Sequence, residues 1–260
     1  TLEPEQMDRL LKAVTEYFDL SHTLEFTIEA GRPDSITEEK LRVIRRYPVT
    51  RISVNPQTMQ QKTLDLVGRR HTVQDVVEAF HMARRLGFDN INMDLIAGLP
   101  GETAADMQDT LRQVEALHPD SLTVHALAIK RAARFGQEGR TAQLHSEITQ
   151  MIEDASECAR GMGLKPYYLY RQKNIAGNFE NVGYAEVDKA GIYNILIMEE
   201  KQTILAAGAG ASTKILLKEP IRTENGKEIG LVRIENVKNI TEYISRIDEM
   251  IERKGEWLWR

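Results

Sequence analysis

Gly87-Phe88-Asp89-Asn90-Ile91-Asn92-Met93-Asp94-Leu95-Ile96-Ala97-Gly98-Leu99-Pro100-Gly101-Glu102-Thr103 is the stretch that decides the fold. It starts on a glycine that closes a helical pattern running from Val73 to Leu86, where Gly is the usual residue just past a C-cap. It then runs extended and apolar from Asn90 to Ala97, turns tightly through two glycines and a proline, and enters a helical pattern from Thr103 to Leu117. A helix, a short buried strand and a second helix in that order form the repeating unit of a parallel β/α sheet.

The same unit recurs on both sides. Upstream, Leu10, Leu11, Val14, Tyr17 and Phe18 recur at helical spacing, with Thr1 as a candidate cap and Pro4 in the first turn. The stretch from Thr23 to Ala30 alternates at period two, Gly31-Arg32-Pro33-Asp34-Ser35 breaks it, and a helix capped near Thr37 runs from Glu38 to Arg46. Arg51-Ile52-Ser53-Val54-Asn55 reads as the next strand. Downstream, Ser121 to Ile129 reads as a strand and Thr141 to Met162 as a long helix. Right-handed crossovers reduce the choice to an open doubly wound sheet or a β/α barrel, complete or partial.

After Gly163 the pattern changes. Lys165 to Tyr170 and Thr203 to Ala209 read as strands, Ile215-Leu216-Leu217 and Ile221-Arg222-Thr223 as a hairpin around Lys218-Glu219-Pro220, and about Val237 to Ile251 as a last helix. The expected organisation is a β/α barrel core over residues 1–165, with barrel closure and a small α+β extension over 166–260.

Composition narrows the function classes. The 260 residues are 42% hydrophobic, enough for a sizeable core. The 34 Lys and Arg against 39 Asp and Glu leave a net charge of -5 without a basic block, so nonspecific nucleic-acid binding is not expected. One cysteine, Cys158, rules out an internal disulfide framework or a site built from several thiolates of this chain, and a reducing, cytoplasmic setting is expected. No apolar run approaches the roughly 18 to 20 residues of a membrane span. The six histidines lack paired helical spacing for zinc, so no metal is assigned, and no Gly-x-Ser-x-Gly elbow occurs.

In a β/α architecture the ligand site forms where strands end. Candidates by that rule are Glu29, Asn55 and Gln57, Asp94, and His125 to Lys130. Asp94 interrupts an apolar strand, and a carboxylate there needs firm partners whether it binds a ligand or caps loop amides. Glu29 shares a face with Glu25 and Thr27 and could as well be solvated. Gly98 to Glu102 either brings backbone close to a ligand or is a plain turn. Gly208-Ala209-Gly210-Ala211 resembles part of a nucleotide loop without its full spacing. The run from Tyr167 to Asn178 mixes aromatic, cationic and amide groups that suit a planar, carboxylated ligand, or it is a surface loop. Lys130, Arg131 and Arg134 offer an anion patch or the wet end of a loop.

Taken in order, Phe26-Thr27-Ile28-Glu29-Ala30, Arg51-Ile52-Ser53-Val54-Asn55-Pro56-Gln57-Thr58, Leu66-Val67-Gly68-Arg69-Arg70-His71-Thr72 and the opening stretch resemble the radical SAM oxygen-independent coproporphyrinogen III oxidase family. Tyr170 to Tyr184 and Ala207 to Ala211 extend the resemblance, to the coproporphyrinogen dehydrogenase branch in particular. The resemblance implies a partial (β/α)6 barrel of the TIM type lacking its first strand. It also implies a reaction in heme biosynthesis: a reduced 4Fe-4S cluster cleaves S-adenosylmethionine to a 5'-deoxyadenosyl radical, which starts decarboxylation of two propionates to give protoporphyrinogen IX.

By motif, Glu29, Gln57, Arg69 and Asp94 would hold the methionyl and ribose parts of the cofactor, with Ile96 and Ala128 at the adenine. Arg171, Lys173 and Asn174 would reach the substrate, coproporphyrinogen III or a related tetrapyrrole, and a reductant protein would supply electrons. The family's Cys-x3-Cys-x2-Cys motif and first glycine-rich strand do not occur in this sequence, so the chain by itself is expected to be inactive and its first strand edge to pair with another copy. Ala97, where many relatives carry Tyr, and Ala126 to Arg131 leave the substrate less defined than the fold. Two alternatives remain: a heme-binding chaperone of the same family, and an ordinary barrel enzyme using Glu29 and Asp94 as acid and base.

Overall fold

The computed structural model describes residues 2–127, 141–171, 180–222, 225–226 and 228–259, with the backbone alone at 141–145, 171 and 180. It divides into two compact units, Thr1–Ile192 and Tyr193–Arg260.

The first unit is built on a six-stranded sheet: β1 (Thr27–Gly31), β2 (Arg51–Gln57), β3 (Ile91–Ala97), β4 (Ser121–Ala126), β5 (Lys165–Arg171) and β6 (Glu180–Ala185), in spatial order β1-β2-β3-β4-β6-β5. The first four strands are parallel neighbours, as the strand-helix alternation predicts. The departure lies at β6, which the sequence reading does not assign as a strand. It inserts antiparallel between β4 and β5, pairing Leu122 with Tyr184 and Leu169 with Val182. β1 pairs with β2 and stands at the sheet edge.

The helices of this unit among the described residues are α1 (Pro4–Tyr17), α2 (Glu38–Ile44), α3 (Gln61–Leu66), α4 (Val73–Arg85), α5 (Ala104–Leu117) and α6 (Thr141–Gly161). Thr37, Thr72 and Thr103 cap α2, α4 and α5 by accepting the amides of Lys40, Asp75 and Asp106. At α1 the expected cap, Thr1, is replaced by Glu3, whose amide donates to the Gln6 side chain at 2.9 Å, because Pro4 has to stand at the first helical position. None of the described helices is long and apolar enough to cross a membrane.

Strand alternation sorts the side chains. Ile52, Val54, Ile91, Met93, Leu95, Leu122 and Val124 are buried in one core with Leu41, Ile44, Val76, Phe80, Met107 and Leu111 of the helices. Their neighbours Arg51, Ser53, Asn92, Ser121 and Thr123 point the other way and are nonetheless buried. Tyr168 lies beside this polar face: a Cβ added at Gly183 would meet the Tyr168 ring carbons at 2.1 and 2.4 Å. Gly183→Ala should therefore displace that ring and destabilise the fold by about 1–3 kcal/mol, as overpacking does. A melting temperature equal to that of the parent would show that the ring moves without loss.

The Gly98 to Glu102 turn is explained by packing. Gly98 has φ +85°, a Cβ there would sit 2.7 Å from Ile148 Cδ1, and its amide donates to the Met151 sulfur at 3.3 Å. Glu102 is buried, accepts the Thr58 hydroxyl at 2.6 Å, and leaves its Oε2 without a partner. Burial raises its carboxyl above the ordinary value of 4.5, with the Thr58 and Thr63 hydroxyls opposing. A raised folded pKa means stability present while the group is protonated and lost as pH rises through that pKa. Glu102→Gln should remove this component. Urea midpoints of parent and variant should diverge from pH 5 to pH 8, with the variant the more stable at pH 8; parallel pH profiles would count against it.

The second unit holds α7 (Ile192–Glu199, which begins one residue earlier), β7 (Ser212–Arg222), β8 (Glu228–Glu235), α8 (Ile240–Ser245) and α9 (Ile247–Leu258). Two expectations are corrected here. Residues 203–209 form no strand, only a bridge from Ile204 to Lys214. The expected hairpin around residues 218–220 is one strand, β7, which carries Pro220 and pairs with β8 across an irregularity between Leu216 and Ile221. A proline fits a ladder at such a break. In the glycine-rich loop the Gly208 amide donates to the Tyr243 hydroxyl at 3.0 Å, the Gly210 amide to the Val237 carbonyl at 2.8 Å, and the Asn236 amide group to the Gly208 carbonyl at 2.8 Å. These amides are used within the unit and are not free to cradle a phosphate.

Candidate functional site

The C-terminal ends of β1 to β4 bring Glu29, Asp94 and His125 to one face. Glu29 Oε2 accepts the Ser53 hydroxyl and, at 3.4 Å, the Asn55 amide. Asn55 keeps its carbonyl oxygen buried and without a partner. Gln57 follows at φ 72°, where the β2–β3 register shifts between Val54 and Gln57. A non-glycine residue at positive φ is held there by its surroundings and is commonest at turns and ligand sites.

Asp94 accepts the Asn92 amide at 2.7 Å. Burial raises its pKa, the nearby Glu29 carboxylate adds to the rise, and His125 with the Asn92 and Thr123 hydrogen bonds opposes it. A carboxylate half withdrawn from water among donors is poised to accept hydroxyl groups from a ligand. Ile96 lies two residues further along the same face, opposite His125.

Arg69 sits on the loop after α3, its amide bonded to the Leu64 carbonyl at 2.9 Å. Its guanidinium is pushed down by burial and by Arg32, with Asp34 opposing; Arg32 is itself paired with Asp34 at 3.2 Å. Two guanidinium groups repelling each other beyond the β1 edge form a place where an incoming carboxylate lowers the energy. His71 is buried, and desolvation followed by the Arg69 charge pushes its imidazole down, so it stays neutral at pH 7 and adds no third cation.

Ala128, Lys173 and Asn174 lie outside the described residues, as do Lys130, Arg131 and Arg134. Arg171 ends β5 opposite Glu180, and the description of both stops at the backbone. The sequence reading does not assign Arg51, Asn92 or Thr123 to the site, and it names Tyr168 only within the run from Tyr167 to Asn178. The Tyr168 phenol is pushed up to about 12 by burial, Tyr167 and Asp94, against the Thr123 hydrogen bond and Arg51. The signal that could have found Arg51, Asn92 and Thr123 is polar alternation at period two, Arg51-x-Ser53-x-Asn55, Asn92-x-Asp94 and Ser121-x-Thr123-x-His125, inside strands whose other face is apolar.

A 4Fe-4S cluster takes cysteine thiolates. Cys158, the chain's one cysteine, donates to the Leu111 carbonyl at 3.7 Å from α6, and burial followed by Glu115 pushes its thiol up to about 11. It does not fit as a cluster ligand. Among the described residues no group of three His, Cys, Asp or Glu side chains is arranged to hold a metal ion.

Four parallel strands joined by helices, with Glu29, Asp94 and His125 on one face, define an α/β protein of the partial β/α barrel class. The Radical SAM superfamily matches residues 1–114. The oxygen-independent coproporphyrinogen-III oxidase-like protein HemZ of Bacillus subtilis is 43% identical over 99% of this chain and 50% of its own length. The heme chaperone HemW of the same organism is 32% identical over 65% of this chain and 46% of its own. The solved coproporphyrinogen III oxidase (HemN) of Escherichia coli, a radical SAM enzyme, shares the fold with a TM-score of 0.69 over 95% of this chain and 54% of that one, at 22% identity. The chain belongs to the radical SAM family of oxygen-independent coproporphyrinogen III oxidase homologues. It spans about half the length of the curated relatives it matches.

Proposed function

We propose that this chain carries the S-adenosylmethionine cradle of a radical SAM protein acting on a tetrapyrrole. The observation that supports it most directly is the approach of the Glu29 and Asp94 carboxylates on one face of the sheet, with the Asn55 carbonyl left as a buried acceptor without a donor. In this reading Asp94 and Gln57 bond the ribose hydroxyls, Glu29 takes the methionyl ammonium, and Arg69 beside Arg32 takes the methionyl carboxylate. Ile96 and Ala128 would flank the adenine, and Arg171, Lys173 and Asn174 would meet the propionates of the substrate. When bound, the cofactor and a 4Fe-4S cluster supply one-electron chemistry; the residues of this chain bind, orient and desolvate.

For the whole protein we propose the anaerobic oxidative decarboxylation of coproporphyrinogen III to protoporphyrinogen IX, with a reductant protein as electron source. Likeness to HemZ over nearly the whole chain supports it. The matching test is calorimetric titration of S-adenosylmethionine into the anaerobic protein. Saturable one-to-one binding supports the cradle, and absence of heat at millimolar ligand overturns it. A second reading, heme chaperone, draws on the likeness to HemW. Retention of titrated heme with no decarboxylated product would favour that reading over the oxidase. The edge position of β1 also supports pairing between copies of this chain; a strictly monomeric mass by light scattering at high concentration would count against it.

A further inference from the structure

Arg51 stands at the start of β2, remote from the strand ends, with 3% of its surface exposed. Among the described residues no carboxylate forms an ion pair with it, and its Nε is buried without a partner. A buried guanidinium in that state is costly unless its charge acts on something. Its Nη2 donates to the Ser121 hydroxyl at 3.3 Å. Ser121 donates in turn to the Asn92 carbonyl oxygen at 3.1 Å, and the Asn92 amide donates to Asp94 Oδ1 at 2.7 Å. The Thr123 hydroxyl lies 3.2 Å from the same Asn92 oxygen.

Every donor along this path points the same way, from the cation to the carboxylate. The Asn92 side chain admits one orientation: two hydroxyls meet its oxygen, and reversing it would set that oxygen against the Asp94 carboxylate. Hydrogen bonds aligned head to tail polarise one another, more so when a full charge stands at one end and water is excluded.

We infer that Arg51 is a positioning residue for the ligand site, acting on Asp94 through Ser121 and Asn92 to keep its carboxylate ionised and turned toward the strand ends. The inference rests on the cradle reading for its functional meaning, while the chain of donors is a property of the protein without ligand. Ser121 and Asn92 are links and Arg51 the source of polarisation. None of the three has to touch the ligand.

Selective 13C labelling of aspartate carboxyls follows Asp94 in the ligand-free full chain, with Asp94→Asn assigning the signal. The titratable groups facing that carboxyl are Glu29 from β1, His125 from β4 and Tyr168 from β5, and the Arg51 charge bears directly on Tyr168. Arg51→Gln is expected to raise the Asp94 midpoint by about half a pH unit, as loss of the charge that polarises the Ser121 and Asn92 hydrogen bonds does. Ser121→Ala should raise it by less, and in the Arg51→Gln background should add nothing, since the path is already cut. Arg51→Lys, which keeps a cation without the fork that reaches Ser121, should restore part of the shift.

An unchanged midpoint in Arg51→Gln, or fully additive effects of Arg51→Gln and Ser121→Ala, overturns the inference. If Arg51→Gln does not fold, Ser121→Ala and Asn92→Leu carry the test, because both must raise the midpoint and a null result in both overturns it equally. S-adenosylmethionine affinity read on the same variants separates the two levels: a shifted midpoint with no binding by the parent protein sinks the cradle and leaves the relay, whereas binding by the parent with an unmoved midpoint does the reverse.

Discussion

Asp94→Ala is expected to weaken S-adenosylmethionine binding by on the order of 100-fold, about 2.7 kcal/mol, when the two proteins are compared by calorimetry at one pH. The magnitude follows from the site. An ionised carboxylate accepting two ribose hydroxyls makes two charge-assisted hydrogen bonds, each worth about 1.5 kcal/mol or more. Alanine removes both and also strands the Asn92 amide, which donates to Asp94 at 2.7 Å in the intact protein. Asp94→Asn separates shape from charge: it keeps the volume, loses the full negative charge, and should fall between the parent and alanine. Asp94→Asn, which keeps a partner for the buried Asn92 side chain, should move the melting temperature less than Asp94→Ala. A Kd for Asp94→Ala within about threefold of the parent, roughly 0.7 kcal/mol, would remove Asp94 from the cradle.

Phe80→Ala is expected to destabilise the protein by about 3–5 kcal/mol, the range for truncating a fully buried aromatic residue. Phe80 on α4 is 1% exposed, among the largest fully buried side chains, and belongs to the core shared by the sheet and its helices. Its ring also carries the Arg84 guanidinium at 5.0 Å. Arg84 ties together the Asp120 carboxylate at 2.7 Å, the His118 carbonyl at 3.0 Å and the Phe88 carbonyl at 3.3 Å, and Asp120 in turn accepts the Ile91 amide at 2.7 Å where β3 starts. The variant therefore leaves a cavity in the core shared by the sheet and its helices and loosens the Arg84 clamp at the start of β3. Urea unfolding should show a midpoint lowered in proportion at an unchanged m-value. Loss below about 1.5 kcal/mol would mean that the helices collapse onto the space.

Much of the fold was legible because parallel β/α units advertise themselves locally. The Gly87 stop, the Thr103 cap and the apolar run between them are each decided by residues a few positions apart, and the structure has α4 end, β3 run and α5 begin there. β6 was not legible: Glu180–Ala185 is short, carries Gly183 and Asn181, and is a strand because β4 and β5 offer it two edges. Likewise residues 203–209 have the composition of a strand, yet the glycines at 208 and 210 take positive φ and the amides turn inward to Tyr243 and Val237.

The sequence by itself placed Glu29 and Asp94 inside strands of one sheet, because alternation and the breaker residues mark where each strand runs, and it left open whether Glu29 meets a ligand or solvent. It also determined the family, through motifs whose order survives without any coordinates. Only the tertiary structure decided what those carboxylates meet. The relay from Arg51 through Ser121 and Asn92 to Asp94 spans three strands whose members are separated by as many as 70 residues, and Tyr168 reaches the same face because Gly183 leaves room for its ring. The physical reason is range: backbone propensity and capping act over a few residues, whereas burial, hydrogen-bond partnership and pKa depend on which side chains the sheet brings within reach.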